Sequence, residues 1–267
     1  MNGRFQLPKY SNWFLMTDNS IYLSVIIPCY NEARNIRLGA LESVDAYLKK
    51  QKYAWEVIMV DDGSNDDSPR LLKSVANDKK NFFYYRKKHQ GKAAAVTYGV
   101  MKAEGAIILF TDLDQATPLN QIEKLFPLFG KGCDLVIGSR NNERRGAPLL
   151  RLAMAKGFML ARNIILNLNI RDTQCGFKAF TSECGRLLFP KLKVFDEKRR
   201  ASGSAVSAGF DIELLYLAKK KGFRIAEVPI EWHYQETRNV NPVKDSLESL
   251  YDLLRIKFNS SLGKYDA

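Results

Sequence analysis

The chain has 267 residues, 46% of them hydrophobic and 11% aromatic, a length that suffices for one large domain or two small ones and the composition of a folded globular protein rather than a disordered chain. A formal net charge of +12 favours an anionic partner: nucleic acid, an acidic membrane or a phosphorylated substrate. Four cysteines (Cys29, Cys133, Cys175, Cys184) have neither CxxC nor zinc-ligand spacing, so they read as reduced core or loop thiols of a cytosolic protein.

Residues 1–20 are polar with isolated aromatics (Tyr10, Trp13, Phe14) and lack the apolar core of a signal peptide, so they are expected to form an arm packed on the body or a loosely ordered lead-in. Leu23 to Pro28 reads as a short buried strand, and Asn31 as the cap of a helix running from Glu32 to about Lys50. Trp55 to Val60 is a second strand, ended by Asp61-Asp62-Gly63-Ser64, a run that by itself also suits a helix-capping turn. A helix over Leu71 to Ala76, a strand over Phe82 to Tyr85 and a helix from Gly91 to Glu104 follow.

Ala106 to Phe110 is the fourth strand, and it stops in Thr111-Asp112-Leu113-Asp114. Carboxylates spaced i, i+2 at the end of a parallel strand lie where α/β sheets bind ligands, and such oxygens suit Mg²⁺ or Mn²⁺ held with a diphosphate. The same residues also suit the N-cap of a helix after Pro118. Asp134 to Gly138 is a further strand, ending at Ser139-Arg140. Strands alternating with helices indicate an α/β fold with a mostly parallel sheet, which brings the polar strand ends to one edge.

From Arg140 to Arg162 six basic residues (Arg140, Arg144, Arg145, Arg151, Lys156, Arg162) face one acid, Glu143, and are interleaved with Leu149, Leu152, Phe158 and Leu160. A basic amphipathic segment suits a phosphate-bearing membrane surface, and equally a helix packed on the sheet with solvated charges. It does not suit a membrane span, because each buried charge costs roughly 2.5–3.5 kcal/mol at a bilayer centre. After Asn241-Pro242, Val243, Leu247, Leu250, Leu254 and Phe258 recur at helical spacing. That C-terminal amphipathic helix suits the core, lipid, or a second subunit in a homo-oligomer.

Val25-Ile26-Ile27-Pro28-Cys29-Tyr30-Asn31-Glu32, Val60-Asp61-Asp62-Gly63-Ser64 and Thr111-Asp112-Leu113-Asp114, in that order, resemble an inverting family 2 glycosyltransferase of GT-A fold. Gly138-Ser139-Arg140, Thr173-Gln174-Cys175-Gly176-Phe177-Lys178 and Gly209-Phe210-Asp211-Ile212-Glu213 extend the resemblance towards polyprenyl-phosphate sugar transferases, similar to dolichyl-phosphate glucose and mannose synthases. The resemblance implies a lead-in over 1–20, a GT-A domain over 21–237 and a C-terminal helix over 238–267. It implies a nucleotide diphosphate sugar as donor and a polyprenyl phosphate as acceptor at the cytosolic face of a membrane. Pro28, Tyr30, Glu32, Asp61, Asp62, Lys92 and Asp112 are then the donor-binding candidates, and Asp112 and Asp114 the ligands of Mg²⁺ or Mn²⁺. Asp114, Arg140 and Glu213 are the catalytic candidates. Arginine suits an acceptor phosphate because its planar fork binds bidentately, which nominates Arg140, Arg151 and Arg238. Transfer to a sugar or protein hydroxyl would instead require a base, with Glu213 or Asp211 in the matching region. Asp112-Leu113-Asp114-Gln115-Ala116-Thr117 departs from the Asp-Ala-Asp-Leu-Gln of many mannose synthases and is closer to the glucosyl branch, favouring glucose carried on UDP. No zinc finger, RNA-recognition signature or helix-turn-helix is present, which sets nucleic acid aside.

Overall fold

The structure, a computed structural model, describes residues 20–140, 149–193, 209–233 and 242–266. Seven strands form one sheet: β1 (Leu23–Cys29), β2 (Trp55–Asp61), β3 (Phe82–Arg86), β4 (Ile107–Phe110), β5 (Leu135–Arg140), β6 (Lys178–Thr181) and β7 (Ile225–Ile230). Their order across the sheet is β3-β2-β1-β4-β6-β5-β7. All neighbours pair in parallel except β6, which runs antiparallel to both β4 and β5. Helices α1 (Ala33–Arg37), α2 (Ala40–Leu48), α3 (Ser68–Asp78), α4 (Lys92–Lys102), α5 (Phe126–Gly130), α6 (Leu149–Leu166), α7 (Ser182–Leu188), α8 (Gly209–Lys220) and α9 (Pro242–Ser261) flank it.

Both faces of the sheet are buried, so the strands read as continuous apolar runs rather than alternating ones. The period of two still sorts them. Ile26, Ile58, Val60, Ile108 and Phe110 enter one core with α4, α7, α8 and α9, while Val25, Ile27, Val57, Met59 and Leu109 enter a second core with α2 and α3. α4 lies so close to β1 that a Cβ on Gly99 would stand 2.4 Å from Ile26 Cγ2. α9 packs on α6 and α8.

Four local readings are corrected. The helix expected from Glu32 to Lys50 is two helices, because Gly39 adopts φ +86° between α1 and α2. Asn31 does not cap α1: it stands at φ +56°, and its Oδ1 accepts the Asn65 amide. The first amides of that segment are capped across the loop instead, Asn31 by Ser64 Oγ, Glu32 by Ser68 Oγ and Ala33 by Asp66 Oδ2. After Pro118 the chain forms a 3₁₀ turn over Leu119–Lys124 before α5, rather than one α-helix. The strands β6 and β7 were not anticipated. β6 has four residues and opens on a charged side chain, which hides it from a hydrophobic pattern. Residues 1–19 of the expected lead-in lie outside the described residues.

Gly99→Ala forces either α4 or Ile26 to move, and overpacking of this kind costs about 1–3 kcal/mol. Urea unfolding is expected to show a lower midpoint with an unchanged slope; an unchanged midpoint would mean that the α4–β1 contact has slack.

Candidate active site

The sheet register sets the site. Cys29 pairs with Asp61, Asp61 with Arg86, and Ile26 with Phe110, so β1, β2, β3 and β4 end on one edge. Asp61 closes β2 with no exposure to solvent; its carboxylate accepts the Ser64 amide at 2.8 Å and the Tyr84 hydroxyl at 3.2 Å, with Arg86 Nε at 3.3 Å. Burial first, and then the charge of that carboxylate, pushes the Tyr84 phenol up to about 12. Asp62 accepts the amides of Gln90 and Gly91, each at 2.8 Å, and lies 2.8 Å from His89 Nδ1. Both acidic side chains therefore hold loops together. Gly63, at φ +76°, lets the loops close, since a Cβ there would meet the His89 amide nitrogen at 2.8 Å.

The loop so held lays the His89 ring on Tyr30, with centroids 4.1 Å apart and planes 15° from parallel. Tyr30 follows β1 directly, and Pro28, within β1, is partly exposed. Glu32 accepts Asn35 Nδ2 at 2.6 Å and so belongs to the start of α1. The result is a partly exposed aromatic shelf at the end of the first strand.

Past β4 the Thr111 amide still bonds to Ile26 at 3.0 Å, and then the chain turns. Asp112 meets the Lys92 ammonium from the first turn of α4, and its carboxylate lies against Gly176, where a Cβ would come 2.2 Å from Oδ2. Asp114 Oδ1 accepts the Ala116 amide at 3.0 Å across Gln115, which adopts φ +50°. Gln115 itself turns back to the Asp112 carbonyl at 2.9 Å. The two carboxylates thus flank a sharp turn at the edge of the sheet, rather than starting a regular helix.

Beneath them lies Lys178, the first residue of β6, paired with Phe110 on one side and Ile137 on the other. It is fully buried; its ammonium bonds to Asp211 Oδ1 at 2.6 Å and to the Cys175 carbonyl, and lies 5.4 Å from the Phe110 ring centre. Burial pushes the Asp211 carboxyl up, partly offset by the charges of Lys178 and Lys92, while the charge of Asp112 raises it further. Asp211 therefore shares one electrostatic neighbourhood with Asp112 and Lys92. Glu213 does not. Two residues on along α8 it points the other way, is fully buried, and accepts the Lys193 amide at 2.8 Å and the Tyr265 hydroxyl at 2.5 Å. These bonds tie α8, through Glu213, to Lys193 and Tyr265.

Arg140 ends β5. Its Nε and Nη2 grip both oxygens of Asp172, at 2.6 and 2.8 Å, and the guanidinium carbon lies 5.6 Å from the Trp232 ring centre. Burial pushes the Asp172 carboxyl up, but the hydrogen bonds and charge of Arg140 outweigh it and hold the group below its ordinary value. Among the described residues this pairing leaves the Nη1–Nη2 edge of the guanidinium open, with both N–H groups of Nη1 and the second of Nη2. Arg238 lies outside the described residues, and Arg151 lies on α6 in a stretch whose side chains are also outside them. His89, Asp172, Lys178 and Trp232 were missed by residue-level reasoning. Lys178 stands within the Thr173–Lys178 motif, but its contacts with Phe110 and Asp211 bring together residues far apart in sequence.

The donor set at Asp112 and Asp114 suits a hard divalent ion. Among the described residues no group of three or more His, Cys, Asp or Glu could hold a metal alone. Two carboxylates without a protein cage match an ion that takes its remaining ligands from a diphosphate and water.

Comparison with known proteins agrees with this architecture. The profile of the family "Glycosyl transferase family 2" matches residues 24–184. The dolichyl-phosphate beta-glucosyltransferase of Dictyostelium discoideum is 33% identical over 265 residues, covering 92% of this chain and 76% of that protein. The human protein of the same name is 31% identical over 265 residues, covering 91% and 77%. Among solved structures, mannosyl-3-phosphoglycerate synthase from Rubrobacter xylanophilus has a TM-score of 0.61 at 16% identity, covering 91% of this chain and 75% of that one. Glucosyl-3-phosphoglycerate synthase from Mycobacterium tuberculosis, solved with Mn²⁺, UDP and glucosyl-3-phosphoglycerate, has a TM-score of 0.56 at 20% identity, covering 88% and 80%. These structures share the fold, a mostly parallel sheet of the GT-A kind flanked by helices. The chain is a glycosyltransferase and belongs to glycosyl transferase family 2.

Proposed function

We propose that the protein transfers glucose from UDP-glucose to a polyprenyl phosphate of the dolichyl class, with inversion, at the cytosolic face of a membrane. The observation that carries this reading is the strand-end pair Asp112 and Asp114 at the edge where β1, β2 and β4 end, with the Lys92 ammonium on Asp112 and Gly176 packed against it. The names of the relatives from Dictyostelium discoideum and human support the sugar and the acceptor. Pro28 and Tyr30 suit the nucleotide base, and Asp61 and Asp62 fix the loops around it. Asp112 and Asp114 would hold Mg²⁺ or Mn²⁺, which when bound neutralises charge on the diphosphate leaving group.

The acceptor phosphate is ionised at neutral pH and is a nucleophile without a base. Arg140 holds it through the fork that Asp172 leaves open, with Arg151 and Arg238 as further candidates. A phosphate oxygen attacks the anomeric carbon, the bond from that carbon to UDP breaks, and UDP leaves with the electron pair. Lys92, beside Asp112, is placed to meet the negative charge that builds on the leaving group.

The acceptor lies in lipid, and the outer surface of α6 and α9 suits that location. Leu160 and Ile164 on α6 are exposed, as are Tyr251, Leu254 and Phe258 on α9 and Leu262 just beyond it. Lys257 and Arg255 flank this stripe, which suits anionic headgroups. No helix among the described residues is long and apolar enough to cross a membrane. The four cysteines are unpaired and buried, in keeping with a reducing compartment.

Incubation with labelled UDP-glucose, Mn²⁺ and dolichyl phosphate is expected to give a labelled lipid; no product with UDP-glucose, while GDP-mannose gives one, would overturn the choice of donor. Asp114→Ala is expected to lower turnover by about 10²–10³-fold, as loss of a transition-state stabiliser does. Near-normal turnover in Mn²⁺ would remove the metal from Asp114. The double variant Leu254→Glu, Phe258→Glu is expected to weaken binding to anionic vesicles by at least about tenfold, since each large apolar side chain contributes roughly 1.5–3 kcal/mol on burial. Unchanged sedimentation with vesicles would move the membrane contact off α9.

A further inference from the structure

The turn from Ile170 to Thr173 carries the carboxylate that grips Arg140, and it is fixed from outside. Glu227, on the edge strand β7, aims both oxygens at it: Oε1 accepts the Asp172 amide at 2.7 Å and Oε2 the Arg171 amide at 3.0 Å. Two adjacent amides on one carboxylate set the direction of the turn as well as its distance. The parallel register of β7 with β5 pairs Glu227 with Ile137 and Ile230 with Arg140, so both ends of the relay stand on one rigid ladder. From α6, Arg162 donates to Thr173 Oγ1 at 3.0 Å and to the Ile170 carbonyl, closing the other side. Asp172 then receives both the Arg140 amide, at 3.1 Å, and the guanidinium.

We infer that Glu227 is a positioning residue for Arg140, acting through the Arg171–Asp172 amides and the Asp172 carboxylate. This rests on the reading of Arg140 as the acceptor-phosphate ligand. A relaxed turn leaves Arg140 its charge but not its plane. A phosphate is still attracted, yet the two-point grip that orients it is lost. The effect falls on the acceptor and not on the nucleotide sugar, whose residues stand on β1, β2 and β4.

The test uses the full chain with UDP-glucose and citronellyl phosphate, a short polyprenyl phosphate that does not require a membrane. Glu227→Ala is expected to raise the acceptor KM about tenfold while the UDP-glucose KM stays within about twofold, and Glu227→Gln, which keeps one acceptor oxygen, to fall between. In an Arg140→Ala background Glu227→Ala is expected to add nothing, because the two act on one contact. Where Arg140→Ala raises the acceptor KM, an equal acceptor KM in wild type and Glu227→Ala, or multiplying effects in the double variant, would overturn the inference. A readout independent of turnover is the Arg140 Nε–H resonance, assigned by its disappearance in Arg140→Lys. Glu227→Ala is expected to shift or broaden it, and an unmoved signal counts against the relay. If Arg140→Ala leaves the acceptor KM unchanged while Glu227→Ala still moves that resonance, the acceptor reading fails and the relay stands. Should Glu227→Ala not fold, Glu227→Gln carries the same comparisons.

Discussion

The ammonium of Lys178 lies out of water in the middle of the sheet, between Phe110 and Ile137 on the neighbouring strands, and is held by Asp211 and the Cys175 carbonyl. An unpaired charge at that depth would cost several kcal/mol, so the loop before β6 and the start of α8 must close on it. That closure brings Gly176 against the Asp112 carboxylate, with no room for a side chain. One buried cation thus joins three pieces of chain that the sequence keeps far apart, and the carboxylate pair after β4 takes its shape from them.

The same economy of cross-loop contacts builds the other half of the site. Asp61 and Asp62 bond to backbone amides and to side chains across loops, and the first amides around α1 are capped by Ser64, Asp66 and Ser68 rather than locally. Loops tied together this way have little freedom to relax, which holds the partly exposed aromatic shelf at the end of β1 in place. The stack of Tyr30 on His89 is the product of that rigidity.

Charge is arranged in alternation: Lys92 on Asp112, Lys178 on Asp211, Arg140 on Asp172. Each cation is oriented by a carboxylate, yet the chain as a whole carries +12. Orientation at short range and attraction at long range are separate tasks, and the proposed pair of anionic substrates, a nucleotide sugar and a polyprenyl phosphate, needs both. The outer faces of α6 and α9 add an apolar stripe beside this charge.

The sequence by itself determined the alternating βαβ pattern, the apolar strands and the polar residues at their ends. Those follow from periodicity and from residue chemistry within short windows, and the ordered motifs carried the family with them. The sequence also exposed Asp112 and Asp114, because a strand that stops in two carboxylates is a local signal. Only the tertiary structure decided that β6 is inserted antiparallel, that Asp211 and not Glu213 faces the strand ends, and that Glu227 and Asp172 stand behind Arg140. Each of these depends on contacts between residues tens of positions apart. Which of two neighbouring acids on a helix meets the site is set by how that helix rotates against the sheet, and that rotation is a property of packing.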